Sequence, residues 1–370
     1  MERVLFFIGT TAELIKVFPI MIEMEKRSIP YKVIASGQND IRNSNLFDKF
    51  SISKPSIVIS NGEHKQSALG LMLWFVKTAF NGYRVLDKKI YNRRKSIMIV
   101  HGDTVSTVMG AVLGKLLGMK VAHVEAGLRS YNYFNPFPEE LDRVITSRFA
   151  DFHYAPNDWA ENNLKNKKGD IINTGENTLL DSLRLAQEVV TTTNEVLDSL
   201  NDENYFVFVL HRQENLFDTD FVKFMIERCT QQAEKHHCVL VLHELTKIKL
   251  QDMGLLSSLQ GNSNFTLIPR LPYLDFMKVL GNCEYLVTDG GSNQEESYYL
   301  GKPCLILRTH TERIEGLDEN VLLSKKCKNT INGFFENIET YKTKPRIYDC
   351  LPSDAIAKHL ADFLLEDGTV

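Results

Sequence analysis

Residues 96–124 read SIMIVHGDTVSTVMGAVLGKLLGMKVAHV. The apolar run 96–100 is followed by a polar turn with Gly102, a stretch of helical spacing at 106–117 and a second apolar run at 119–124. That order is strand, helix, strand, and it predicts a parallel sheet covered by helices. The N-terminus repeats it, with an apolar run at 4–8, a helical pattern at 12–27 and a further run at 31–35. After a polar, weakly hydrophobic helical stretch near 186–200 the rhythm restarts, with buried-strand runs at 205–210, 238–242, 265–268, 285–288 and 304–307. The expected fold is therefore α/β, with two Rossmann-like domains whose parallel sheets face each other across a cleft. The boundary is expected near 175–200, giving an N-terminal domain at 1–175 and a C-terminal, nucleotide-binding domain at 176–352. The amphipathic stretch at 353–365 is expected as a final helix, within 353–370, that packs back on the first domain.

Size agrees with two domains, since 370 residues exceed the ~100–200 of one. Lys plus Arg number 43 against 47 Asp plus Glu, a net charge of -4, which argues against a nucleic-acid or membrane-coating protein. No run approaches the ~20 apolar residues of a membrane span, and the run 4–8 is too short for a signal peptide. The six cysteines, at 229, 238, 283, 304, 327 and 350, form no C-x-x-C and read as thiols of a reducing cytoplasm.

Polar residues recur where strands end. They are His101-Gly102-Asp103-Thr104, Glu125 to Arg129, His211 to Asn215, Asp289-Gly290-Gly291-Ser292 and Arg308 to Arg313. Ligands of open parallel sheets bind beyond the carboxyl ends of strands, so five such endings describe a cleft lined from both sides. Asp103, Glu125, Glu139, Glu140 and His211 offer proton transfer. Taken singly, each acid has a plainer reading: Asp103 as a helix cap, Glu139 and Glu140 as first-turn acids after Pro138. Gly290-Gly291-Ser292, before a helix expected from about Gln294, suits a phosphate. No G-x-G-x-x-G fingerprint and no metal-ligand spacing is present, which counts against NAD, FAD or a metal. His236-His237 reads as surface. The pattern reaches a charged cleft for a phosphorylated ligand and does not name a reaction.

The strings themselves resemble the non-hydrolysing UDP-N-acetylglucosamine 2-epimerase family of bacteria. The resemblance runs from Gly9 to about Phe363. It rests on HGDTVST at 101–107, HVEAGLRS at 123–130, PFPEELDR at 136–143, TGENTLLDSL at 174–183, HRQEN at 211–215, TDGGSNQEE at 288–296 and GKPCLILRTHTERIE at 301–315. It implies a GT-B-like fold, a cytoplasmic homodimer without cofactor, and interconversion of UDP-GlcNAc and UDP-ManNAc for cell-envelope or capsule polysaccharide. In that scheme a base takes the C2 proton while UDP leaves C1, a 2-acetamidoglucal forms, and UDP readdition with protonation of the other face gives the epimer. The resemblance assigns catalysis to Asp103, Glu125, Glu139 and His211. It gives nucleotide or sugar contacts to Lys16, Arg143, Glu296 and Arg313, the diphosphate to Gly290, Gly291 and Ser292, and the uracil to the 272–276 loop with Phe276. Gln38, Gln66, Arg212 and His243 match positions that bind a second, activating UDP-GlcNAc.

Three departures stand out. The family's G-T-R-P-E-A-I-K is here GTTAELIK at 9–16, so Thr11 replaces an arginine. Gly290 and Ser292 have exchanged places relative to T-D-S-G-G-x-Q-E-E, and Glu244-Leu245 follows His243 in place of Asn-Pro. Rival readings are an epimerase or hydrolase acting on a related UDP-sugar, a GT-B glycosyltransferase and a non-catalytic nucleotide-sugar-binding regulator.

Overall fold

The computed structural model describes residues 3–60, 68–90, 93–133, 137–189, 198–200, 204–346 and 351–366. The chain divides into two compact units, Met1–Ser182 with Asp349–Val370, and Leu183–Tyr348.

The first unit is built on a seven-stranded sheet: β1 (Val4–Ile8), β2 (Tyr31–Ala35), β3 (Ile57–Val58), β4 (Ile97–His101), β5 (Lys120–Val124), β6 (Phe152–Ala155) and β7 (Asp170–Asn173). Their order is β3-β2-β1-β4-β5-β6-β7, and every pairing is parallel. β1 and β4 are buried along their whole length, as strands covered on both faces must be. Four helices of this unit matter below: α1 (Thr11–Lys26), α2 (Ala68–Lys89), α3 (Val105–Leu116) and α4 (Glu139–Phe149). α3 lies close on the sheet because two glycines permit it. A Cβ at Gly110 would come within 2.7 Å of the Phe7 and Val100 side chains, and one at Gly114 within 2.9 Å of Val121.

The second unit carries six parallel strands: β8 (Tyr205–Val209), β9 (His237–Leu242), β10 (Phe265–Pro269), β11 (Leu286–Thr288), β12 (Cys304–Ile306) and β13 (Val321–Leu323). Their order is β10-β9-β8-β11-β12-β13. Phe206, Phe208, Leu240, Tyr285 and Leu305 form its core with Met225 and Phe334 from the covering helices. Helix α5 (Gly291–Leu300) follows β11, starting three residues earlier than the sequence suggests. His237 opens β9 with its Nε2 2.8 Å from Thr266 Oγ1, so the His236-His237 pair is half-buried and not surface.

The last helix, α6 (Pro352–Glu366), packs on α1 in the first unit. Arg27 pairs with Asp354, Ser353 N donates to Asp181 Oδ2 at 2.7 Å, and Tyr154 Oη lies 2.9 Å from His359 Nδ1. Among the described residues no helix is long and apolar enough to cross a membrane. Cys229, Cys238, Cys283 and Cys304 are buried free thiols, and Cys327 is exposed.

Both sheets reverse direction of growth once. In the first the chain runs outward through β1, β2 and β3, then returns to place β4 beside β1. In the second it runs through β8, β9 and β10, then returns to place β11 beside β8. At such a switch point two connections leave in opposite directions and open a crevice beyond the strand ends.

Candidate active site

The switch point of the first unit gathers the ends of β1 and β4. Thr10 caps α1, its hydroxyl accepting from Glu13 N at 3.2 Å. Glu13 folds back to accept from Gly9 N at 2.9 Å, from Thr10 Oγ1 at 3.1 Å and from Thr104 Oγ1 at 2.7 Å. Thr104 itself caps α3 in a reciprocal box with Thr107. One carboxyl thus ties the two turns together. Burial raises the Glu13 carboxyl to about 7, although its backbone and hydroxyl donors act to lower it.

Glu125, just past β5, is 5% exposed and sits at φ 63° in the left-handed region that non-glycine residues rarely occupy. Its Oε2 receives the Lys16 ammonium and the Asn177 amide, and His101 Nε2 lies 3.9 Å away. Lys16 comes from α1, one and a half turns beyond the cap, and Asn177 from the TGENT segment. His123, the pair partner of Val100 across the sheet, places Nε2 2.8 Å from the Gly102 carbonyl and so carries its proton there. Burial lowers His123 to about 4, which keeps the ring neutral beneath the turn that presents Asp103.

Asp103 is partly exposed and pairs with Arg143 of α4. Arg143 is buried, with Nη1 3.8 Å from Glu140 Oε2. The adjacent acids Glu139 and Glu140 divide sharply. Glu140 is fully buried, taking Arg129 Nε at 2.5 Å and Ser130 N at 2.8 Å, whereas Glu139 is half-buried at the first position of α4.

The second unit's switch point is organised by a residue that the sequence reading places at a strand end without giving it a role. Asp289, fully buried after β11, accepts from His211 N at 3.1 Å, Arg212 N at 2.9 Å and Asn215 Nδ2 at 3.0 Å, and its Oδ1 lies 2.9 Å from His211 Nδ1. Burial pushes this carboxyl up, but His211, Arg212 and Asn215 together outweigh it and hold it below the usual range. The His211 ring stacks on His243 at 4.7 Å. Burial, then the charges of His211 and Arg270, lower His243 to about 4. Gly290 caps α5, its N–H donating to Thr288 Oγ1 at 3.0 Å. A Cβ at Gly291 would lie 3.1 Å from Arg313 Nε, so glycine lets that guanidinium reach the helix start. Arg313 is buried and paired with Glu295. Glu296 is buried and accepts from Asn293 Nδ2 at 2.8 Å.

The structure therefore groups Lys16, Asp103, Glu125, Glu139 and Arg143 in the first unit. It groups His211, Arg212, His243, Gly290, Gly291, Ser292, Glu296 and Arg313 in the second. Phe276 is half-buried on the helix Tyr273–Asn282. Gln38 is in the first unit, where its Oε1 accepts from Ser106 Oγ at 2.6 Å at the start of α3. Gln66 lies outside the described residues. Among the described residues no group of His, Cys, Asp and Glu has an arrangement that holds a metal.

Two parallel-sheet units, each with charged side chains at its switch point, define an α/β protein of the two-Rossmann-unit class. The family model described as UDP-N-acetylglucosamine 2-epimerase matches residues 22–349. A UDP-N-acetylglucosamine 2-epimerase of Bacillus subtilis is 32% identical over 329 residues, which are 86% of this chain and 82% of that protein. Two crystal structures also align. The Methanocaldococcus jannaschii UDP-GlcNAc 2-epimerase in complex with UDP-GlcNAc and UDP has a TM-score of 0.80 at 27% identity, over 98% of this chain and 100% of that one. The Neisseria meningitidis UDP-GlcNAc 2-epimerase bound to UDP-GlcNAc has a TM-score of 0.82 at 27% identity, over 99% and 100%. The chain belongs to the UDP-N-acetylglucosamine 2-epimerase family.

Proposed function

We propose that this chain inverts C2 of a UDP-2-acetamido sugar, converting UDP-GlcNAc to UDP-ManNAc by elimination and readdition of UDP through a 2-acetamidoglucal. The observation that carries the reading is the acid–base set of the first unit. Glu125 is buried, held by Lys16 and Asn177 and fixed in a strained backbone, while Asp103 and Glu139 stand more open. Epimerisation without a cofactor needs one group to remove the C2 proton and another to return one from the opposite face. Positioned carboxylates do both. The departing diphosphate needs hydrogen-bond donors and positive charge already in place: the first-turn amides of α5 from Gly291 and Ser292 and the His211 ring can donate, and the Arg313 guanidinium carries charge. His211 is suited to this because Asp289 takes its Nδ1 side, leaving Nε2 for the leaving phosphate.

Gln38, Arg212 and His243, three of the residues proposed for a second UDP-GlcNAc, also have partners within their own units. They hold Ser106, the Asp289 carbonyl at 3.0 Å and the face of the His211 ring. The enzyme acts in the cytoplasm, for cell-envelope or capsule polysaccharide, as a homodimer. Support for the second copy is the apolar stripe on α2, where Met72, Leu73, Val76 and Phe80 are 66%, 64%, 58% and 66% exposed at helical spacing.

Incubation with UDP-GlcNAc followed by proton and phosphorus NMR tests the reading. Both UDP-sugars at equilibrium are expected. Free N-acetylmannosamine with UDP would make the protein a hydrolase, and an unchanged spectrum would point to another sugar or to a transferase.

A further inference from the structure

Asp142 has no part in the scheme above, yet it sits inside the acid–base cluster. It lies in the first turn of α4, three residues after Glu139, and Arg143 lies four after Glu139, so both neighbour Glu139 along the helix. It is 7% exposed, and among the described residues its Oδ2 meets no hydrogen-bond partner. Thr146 Oγ1, one turn further along, is likewise buried and unmatched.

The charged groups facing Asp142 are Asp103, from the turn after β4, and Glu139 and Arg143 of its own helix. α3 and β5 also pack on α4. α3 brings Lys115, which is engaged with Asp151, and β5 brings the neutral His123. Four carboxyl groups, Asp103, Glu139, Glu140 and Asp142, therefore stand around one guanidinium, which is paired with Asp103 and lies 3.8 Å from Glu140, a residue held in turn by Arg129. A buried anion at Asp142 would have no cation of its own, and a buried unpaired charge is removed by taking up a proton. Burial first, then Asp103 and Glu139, raise the Asp142 carboxyl to about 8 against the opposing pull of Arg143.

We infer that Asp142 is a positioning residue that stores a proton for the acid–base cluster, leaving Arg143 to Asp103 while it is neutral and competing for Arg143 once ionised. The proton passes between Asp142 and solvent, and no bond of the substrate is involved. Asp142 thereby sets the alkaline limit of the site, because its ionisation releases Asp103 from the orientation that Arg143 imposes. The inference rests on the reading of Asp103 and Glu139 as acid–base residues.

The test has two readouts on the full chain. Carbon-13 NMR of aspartate-labelled protein should show one carboxyl titrating near pH 8 that is missing from Asp142→Asn. The pH profile of kcat on UDP-GlcNAc should fall roughly tenfold per pH unit above that point in the wild type. Asp142→Asn, which has the shape of the neutral acid and cannot ionise, should keep the ratio of kcat at pH 9 to kcat at pH 7 within about threefold. Absence of any aspartate titrating above pH 6, or the same alkaline fall in Asp142→Asn, overturns the inference. Should the wild type not turn over UDP-GlcNAc at all, the functional reading fails while the NMR titration still decides what Asp142 does.

Discussion

Replacing Asp289 by asparagine attacks the centre of the second unit's site. The carboxylate is acceptor-only and serves three donors, His211 N, Arg212 N and Asn215 Nδ2, with the His211 ring beside Oδ1. An asparagine keeps one oxygen and substitutes an amide that donates. With the oxygen at the Oδ2 place the amide faces the His211 ring Nδ1 in place of a carboxylate oxygen, and turned the other way Arg212 N and Asn215 Nδ2 lose their acceptor. Hydrogen bonds to a charged group contribute ~1.5–3 kcal/mol each, and the remaining ones weaken to neutral strength, so a loss of about 2–4 kcal/mol is expected. Because the native carboxyl is held below the usual carboxylate range, this stabilisation is present at neutral pH and lost as pH falls through the folded-state pKa. Wild type and variant should therefore converge in acid. The assay is urea denaturation followed by circular dichroism, since both tryptophans, Trp74 and Trp159, lie in the first unit. Under the proposed mechanism turnover should fall on the order of 10² or more, because the His211 ring loses the carboxylate that stands 2.9 Å from its Nδ1. An unchanged urea midpoint together with turnover within about twofold would refute the assignment.

Other expectations follow from the first unit. Glu125→Gln should lower turnover by ~10²–10⁴ with the fold retained, and near-normal activity would reduce Glu125 to a structural ion-pair partner. Asn177→Ala removes one donor to Glu125 without touching Lys16, and kcat should fall while UDP affinity, measured by calorimetry, stays the same. Glu13 is raised to about 7, so its contribution to stability is complete below the unfolded-state value and lost as pH rises through 7. Relative to wild type, Glu13→Gln should gain stability between pH 5 and 8, by up to roughly 3 kcal/mol, and melting curves across that range check the sign. Thr11 is the first residue of α1 and offers a phosphate only a neutral hydroxyl, so Thr11→Arg should tighten UDP binding roughly tenfold or more. Unchanged or weaker binding in calorimetry counts against a vacated phosphate contact.

The rhythm of strands and helices was legible because fully buried parallel strands are continuous apolar runs, as at β1, β4 and β8. The strands that escaped notice are of another kind. β3 is two residues long, β6 (FHYA) carries His153 at its centre, β7 (DIIN) is only partly buried, and β13 is three residues long. None of these is apolar or long enough to stand out from a loop. In the site, the residues at strand ends were visible one by one, but their partners were not. Asn177 meets Glu125 across 52 positions, Glu13 meets Thr104 across 91, and Asp289 meets His211 across 78. No local pattern encodes those pairs. The difference between Glu139 and Glu140 is of the same kind, since only folding brings Arg129 and Ser130 to Glu140 and buries it.

The central claim is that a proton leaves C2 and returns from the medium while UDP departs and comes back. Incubating the protein with UDP-GlcNAc in heavy water and reading C2 by NMR tests it directly. The account predicts UDP-ManNAc bearing deuterium at C2 and the C2 proton signal of UDP-GlcNAc decaying as exchange proceeds. Formation of UDP-ManNAc that keeps its original C2 hydrogen would contradict it.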